Sequence, residues 1–493
     1  MIGAMEIYPG TELEPTTVFS FAGLVYLALA LGAGAHVLLH KQNESSAISW
    51  LGIIVLSPLL GAVMYWLFGI NRIRRRAQAS RPSTGARLRP PHLDAEGEPL
   101  VDPGAPATLA PRFRQLMHLG AAIHPTPYTG GNRIEALVDG DEGYPAMLGA
   151  IEGATDHVLL ASYIFAYDEI GQRFIDALVA AHERGVRVRV LIDGVGVSYG
   201  LFRPRADREL RRRGVPCTRF LSALSTTGTR FLNLRNHRKI LVVDGRRAFV
   251  GGLNIREHNL VAAGGRNRTR DVHFEVAGPV VAQIQSVFVD DWGFAARERD
   301  FHVAAPVGRH VGTVRARTLL DGPDENYAKL AMTIVGAINA ARASVRVVTP
   351  YFLPDRTIVK AMQLAALRGV AVEIVIPERS NLPFVGWAMQ ANHWRLAEYG
   401  IRLFLSPPPF DHSKLFVIDD AFALIGSSNW DARSLELNFE INLECYDGAF
   451  VARMNALVEH KRDAARALGR RPPERSLPTR LRNNFFRLLT PYL

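Results

Sequence analysis

Three regimes of hydrophobic patterning follow one another along the chain. The first consists of two long apolar runs, about 18–39 and 47–70. Each is close to the roughly 20 residues that a helix needs to cross a bilayer. The connector from His40 to Ser46 is short, so the pair predicts a helical hairpin, and Pro58 predicts a kink in its second arm. Residues 1–76 therefore read as a membrane anchor. The second regime, 77–120, is rich in Pro, Gly, Ala and Arg at its start and reads as a linker. The third is a long series of short β-branched runs alternating with amphipathic stretches.

Within that third regime the pattern occurs twice. Val158 to Tyr163 predicts a strand, Ile170 to Arg184 a helix and Val186 to Ile192 a strand. Ser344 to Val348, Thr357 to Arg368 and Val370 to Ile376 predict the same order. Even the junctions match, Arg184-Gly185-Val186 against Arg368-Gly369-Val370. The chain thus predicts an α/β fold of two duplicated α/β/α halves, 121–310 and 311–493, packed about a pseudo-twofold cleft.

The chemistry repeats with the pattern. His237-Arg238-Lys239 is followed by Asp244 and by Gly251-Gly252-Leu253-Asn254. His412-Ser413-Lys414 is followed by Asp419 and by Gly426-Ser427-Ser428-Asn429. Both copies fit H-x-K-x4-D-x6-G-[GS]-x-N without an insertion. One such frame would be noise; two in register are not. Read as strands, the frames place His237 beside Lys239 and His412 beside Lys414 on one face. Two facing copies supply two imidazoles, two ammonium groups and two carboxamides, which suits a phosphoryl group. Lys239, Lys414, Asn254 and Asn429 can hold its oxygens, and Ser427 and Ser428 can add hydrogen bonds. One histidine can attack phosphorus while the other protonates the leaving alcohol. The lysines supply the positive charge, so the chemistry calls for no metal and no cofactor. Each imidazole needs a carboxylate to fix its tautomer. Aligning Asp271-Val272-His273-Phe274-Glu275 with Glu440-Ile441-Asn442-Leu443-Glu444 offers Asp271 and Glu440. Asp244 and Asp419 complete the catalytic motif, with local structure as their expected contribution.

These frames resemble the HKD motif of the phospholipase D superfamily. The text from His237 through Asn254, with Thr269-Arg270-Asp271-Val272-His273, looks like the first half of bacterial cardiolipin synthases. Gly426 to Asp431, Arg433-Ser434-Leu435 and Asn438 to Asn442 look like the second half. Two departures are Thr269, where that family commonly has Trp, and the preceding Arg266 and Arg268. The resemblance implies phosphatidyl transfer between two phosphatidylglycerol molecules, with His237 as nucleophile and His412 as acid and then base. It implies a multi-pass protein of the bacterial inner membrane.

Composition narrows the remaining classes. The net charge of +11, from 58 basic and 47 acidic residues, suits an anionic lipid surface or nucleic acid alike. The apolar hairpin and the cardiolipin-synthase-like flanks favour lipid, and no nucleic-acid partner is expected. Rival readings are a hydrolase that releases phosphatidic acid, a nucleic-acid phosphodiesterase and a non-enzymatic lipid-binding scaffold. Arg72, Arg74, Arg75 and Arg76 put the catalytic halves on the cytoplasmic side. Cys217 and Cys445 do not make a disulfide framework. Phe384 to Leu396, with Trp387, Met389 and Trp394, reads either as an interfacial helix or as a core helix. The tail from Arg480 reads either as a basic amphipathic segment on the membrane or as a packed terminal helix. The sequence does not specify an oligomeric state.

Overall fold

A computed structural model describes residues 15–41, 44–69, 108–220 and 235–490, except 125, 195, 197–203, 266, 299–300, 305–308, 324–325, 327 and 470–474. It divides into two compact units, Met1–Arg76 and Ala77–Leu493.

The first unit is helical. Pro15–His40 forms one helix of 26 residues. The second apolar run is not continuous: it divides into Glu44–Leu56 and Pro58–Met64, followed by a π-helical turn, Tyr65–Gly69. Proline has no N–H and its ring clashes with the preceding turn, so the helix breaks at Ser57 and restarts with Pro58 at its first position. Small and large residues together make the contacts. Ala33, Val37, Ile54, Ala62 and Tyr65 are buried, and a Cβ on Gly61 would lie 2.6 Å from the Ile53 carbonyl oxygen. The large apolar side chains point outward, among them Leu38, Leu39, Val55 and Leu56. Among the described residues no helix is long and apolar enough to cross a membrane.

The second unit is built on one 16-stranded sheet whose order mirrors itself about a central seam. At the seam Thr129–Val138 pairs antiparallel with Val314–Asp321. Outward from the first lie Val272–Ala277, Arg247–Gly251, Ile240–Val243, His157–Ser162, Arg187–Asp193 and Cys217–Phe220. Outward from the second lie Asn438–Tyr446, Phe422–Gly426, Leu415–Ile418, Ser344–Val348, Ala371–Pro377 and Arg402–Ser406, with Arg466–Ala467 at the edge. Apart from the edge strand Arg466–Ala467, each of these strands has its counterpart at the same distance from the seam. The predicted helices appear as Glu169–Glu183 and Arg356–Leu367. Each half has its own apolar core, and both cysteines are free and buried.

Much of the expected linker lies outside the described residues. Its last part, Pro111–Ile123, is a helix instead, started by Pro111 at its first position. Phe113, Leu116 and Met117 carry this helix into the core of the second half, against Leu330 and Ile334.

Asp244 and Asp419 end the motif strands in the left-handed region, at φ 52° and 51°. Aspartate tolerates that conformation better than most residues. Asp244 accepts from the backbone of Thr155, Asp156 and His157 and from the Thr155 hydroxyl. Those bonds outweigh burial and hold its carboxyl below the usual range. Asp419 accepts from the backbone of Arg342, Ala343 and Ser344 and pairs with Arg112. Both tie a strand end to the loop entering the neighbouring strand. Asp419→Ala is expected to lower stability by about 2 kcal/mol through lost bonds and backbone strain. Asp419→Asn should cost less. Chemical denaturation checks this, and turnover per folded molecule should stay near the parent value.

Candidate active site

The two His-x-Lys segments lie just ahead of their strands, not within them. Each is fixed by a two-residue strand that crosses to the other half. Arg235–Asn236 pairs with Asn438 and Phe439, and Phe410–Asp411 pairs with Thr269 and Arg270. The crossing continues into the motif, because His237 N–H donates to the Phe439 carbonyl and His412 N–H to the Arg270 carbonyl. The next residues are the two carboxylates. His237 Nδ1 lies 2.9 and 3.0 Å from the Glu440 oxygens, and His412 Nδ1 lies 2.7 Å from Asp271 Oδ2. Both expected orienting residues are therefore in place, and each serves the histidine of the opposite half. With Nδ1 engaged, Nε2 is the nitrogen left for chemistry. The imidazole centroids are 6.5 Å apart at an interplanar angle of 78°.

The residue before each histidine braces the segment: Asn236 Oδ1 accepts from Arg238 N–H, and Asp411 accepts from Ser413 N–H and pairs with Lys461. Inside the first motif Arg238 is buried, reaches both Asp291 oxygens through Nη1 and donates to the Glu440 carbonyl.

Burial dominates the electrostatics. His237 and His412 are both pushed below the usual imidazole range by desolvation, His412 further, with Lys414 opposing its protonation. Desolvation lowers Lys239 to about 7 and Lys414 to about 8. Each ammonium folds back onto the carbonyl of its own histidine, Lys239 at 2.6 Å. Burial raises Asp271 to about 6. Burial also pushes Glu440 up, but His237, Lys239 and the Ser427 hydroxyl outweigh it and hold the carboxyl below its usual range.

The remaining expected residues divide. Asn254 is buried, and its Oδ1 accepts from Ile164 N–H. Asn429 and Lys414 line a small cavity of about 10 Å³, and Asn429 Oδ1 is buried without a partner among the described residues. Ser428 lines the same cavity, and both the Ser427 and Ser428 hydroxyls are engaged within the protein. Ser427 donates to Glu440 at 2.5 Å, and Ser428 accepts from Asn442 at 2.8 Å. In the first half Gly252 replaces Ser427, and a Cβ there would lie 2.0 Å from Asp271 Oδ1. Asp244 and Asp419 sit at the far ends of four-residue strands, roughly 15 Å from the lysines. Glu275 and Glu444 are also outside the site, paired with Arg247 and Arg317. Two aromatic residues join the site unannounced. Tyr163 packs edge-on to His237 at 4.9 Å with Lys239 near its ring, and Tyr351 lies 6.3 Å from His412. Their signal was positional: both follow the carboxyl end of a sheet strand, where α/β sheets present residues to ligands.

The crossed pairing generates a direct test. The carboxylate favours a protonated imidazole, so removing its charge lowers the partner's pKa. Glu440→Gln is expected to lower the His237 pKa and leave that of His412 nearly unmoved. Asp271→Asn should do the reverse. Histidine nitrogen shifts followed by NMR titration read both.

Comparison with known proteins agrees with this geometry. The family described as "Cardiolipin synthase, PLD-like domain" matches residues 147–292 and 334–462, and "Phospholipase_D-nuclease N-terminal" matches 28–69. A cardiolipin synthase of Geobacillus kaustophilus is 30% identical over 99% of this chain and 95% of its own length. Cardiolipin synthase A of Pseudomonas entomophila is 32% identical over 90% and 92%. Among solved structures, a phosphatidylserine synthase of Haemophilus influenzae shares the fold with a TM-score of 0.61. It is 16% identical and covers 77% of this chain and all of its own. With two intact motifs, crossed carboxylates and matched domains in both halves, the chain belongs to the cardiolipin synthase family of phospholipase D-like proteins.

Proposed function

We propose that this protein is a cardiolipin synthase, a phosphatidyltransferase that joins two phosphatidylglycerol molecules and releases glycerol. The observation that carries this reading is the facing pair of imidazoles, each oriented through Nδ1 by a buried carboxylate from the other half. A phosphodiester entering between them meets Lys239 and Lys414, which leave their carbonyl partners for its oxygens, and the Asn254 and Asn429 amides. His237 Nε2 attacks phosphorus and forms a phosphatidyl-histidine. Glu440, held ionised, stabilises the charge that grows on that ring. His412 gives a proton to the departing glycerol oxygen. It then takes one from the free hydroxyl of the second phosphatidylglycerol, whose oxygen displaces His237.

The same reading makes the first unit a membrane anchor with its catalytic unit on the cytoplasmic side. Its support is the row of large apolar side chains facing outward, among them Leu38, Leu39, Val55 and Leu56, around an interior that includes Ala33, Ala62 and Gly61. The arginines from Arg72 to Arg76 support the side.

Product analysis tests the reaction. Protein incubated with phosphatidylglycerol vesicles should yield cardiolipin and glycerol in equal amounts, and His237→Ala should abolish both. Phosphatidic acid without cardiolipin would make water the acceptor. Labelled lipid assigns the roles: His412→Asn is expected to slow turnover by roughly 10²–10⁴-fold and to accumulate label on His237. Label on the enzyme in His237→Asn would exchange the two.

The pH dependence follows from the cleft. A lysine is charged below its pKa, so kcat/KM should fall as pH rises through about 7 to 8, where Lys239 and Lys414 lose their protons. Below about 6 it should fall again, as Asp271 protonates and then His237, which must be neutral to attack. Lys239→Arg keeps a charge at all these pH values. It is expected to lower the maximum and to weaken the alkaline decline.

A further inference from the structure

The C-terminal helix Leu477–Leu488 packs along one side and is bare along the other. Asn483 is buried and donates to Gln390, and Phe486 meets Trp387 at 5.0 Å. On the bare side Leu477, Leu481, Phe485 and Leu488 are 65, 63, 58 and 69% exposed. At 100° per residue these four fall within an arc of about 80°. Arg480 and Arg487 border that arc on one flank and Arg482 on the other. Four large apolar side chains in one outward stripe are more than the scattered exposure of an ordinary surface.

The charge around the stripe is of one sign. Residues 475–490 contain four arginines and no acidic residue. Arg487 is near enough to Arg356 and Arg395, and Arg475 to Arg482, for like charges to oppose one another once burial has weakened solvation. Beside the helix contact a cavity of about 580 Å³ is lined by Arg379, Arg466, Arg475 and His393, with Arg466 paired to Glu378. An apolar stripe flanked by arginine matches a surface with acyl chains beneath and negative charge above.

The helix also stands near the cleft. Its support, Pro383–Ala397, starts just after Asn381, which accepts a hydrogen bond from the Tyr351 hydroxyl at 2.7 Å. Tyr351 in turn packs beside His412. Arg482 lies over the Trp387 ring at 4.3 Å, which locks the two helices together.

We propose that Leu477–Leu488 is an interfacial helix that lays the His412 side of the cleft onto an anionic bilayer, so that a headgroup reaches the imidazoles while its acyl chains stay in the membrane. The helix acts in delivering lipid substrate, and in that respect the proposal rests on the phosphatidyltransferase reading. It touches no reacting atom.

The test uses the full chain in nanodiscs. Both native cysteines are buried, so Phe485→Cys can carry an environment-sensitive fluorophore. In discs containing phosphatidylglycerol its emission should shift to the blue and be quenched by a nitroxide on the acyl chain, with a smaller response in discs of phosphatidylcholine alone. Leu481→Asp with Phe485→Asp should raise the KM for phosphatidylglycerol in discs about tenfold and leave kcat/KM for a soluble short-chain phosphatidylglycerol unchanged. A label that stays in water in both discs would overturn the proposal. So would a label shielded in detergent as protein concentration rises, which would make a second copy of the chain the occupant. Equal loss on soluble and disc-bound substrate would overturn it as well. A label that enters the anionic disc while the parent protein makes no cardiolipin would uphold the docking and reject the phosphatidyltransferase reading.

Discussion

The hydrogen bond from each imidazole to a carboxylate of the opposite half is the constraint on which the rest of this fold depends. A histidine at the mouth of a sheet is free to rotate and to carry its proton on either nitrogen. Fixing Nδ1 aims Nε2 at one point. Because the fixing group comes from across the pseudo-twofold, neither half completes a site alone. The continuous sheet through Thr129–Val138 and Val314–Asp321 holds the halves in the register this bond needs. Two short crossing strands carry that register to the motif itself. The duplicated architecture thus brings into one cleft what neither half holds alone.

Burial supplies the second half of the argument. Two lysines, two histidines and two carboxylates share a cleft where water is scarce. Each lysine is destabilised in its charged form, as the values of about 7 and 8 express. Preorganised donors in a dry site are worth more to developing charge than donors in water. Each ammonium sits on the carbonyl of its own motif's histidine.

The sequence made the repeat legible because the repeat is local. Spacing within each frame depends only on strand and turn lengths, and the matched helix junctions depend only on neighbours. The motif residues, the two carboxylates and the repeated strand–helix–strand segments could be read this way, but not the seam strands Thr129–Val138 and Val314–Asp321. What joins residues over 203 or 141 positions could not: alignment finds Glu440 and Asp271 but cannot say that they cross. The partner of the Ser427 hydroxyl could not be read for a related reason. A hydroxyl near a phosphate site and a hydroxyl behind a carboxylate look alike until the third dimension shows which way they face. The break at Pro58 is deeper than a kink because the residue before it leaves the helical region, at φ −145°. Phe384 to Leu396 resolves toward the core reading, with Val385, Ala388, Met389 and Leu396 buried.

The two halves are not equal where it counts. Asp271 is one methylene shorter than Glu440, and the missing side chain at Gly252 leaves the space its carboxylate occupies. On the other side Ser427 takes that space and donates to Glu440. A short acid facing glycine gains no hydroxyl, and burial lifts it to about 6. A longer acid facing serine gains one and stays ionised. The imidazole beside the firmly ionised acid is the one better able to bear positive charge. The imidazole beside the softer acid is held more loosely to its proton, with Lys414 2.8 Å from the same nitrogen. The exchange of Gly-Asp for Ser-Glu across the pseudo-twofold gives the two imidazoles different electrostatic surroundings.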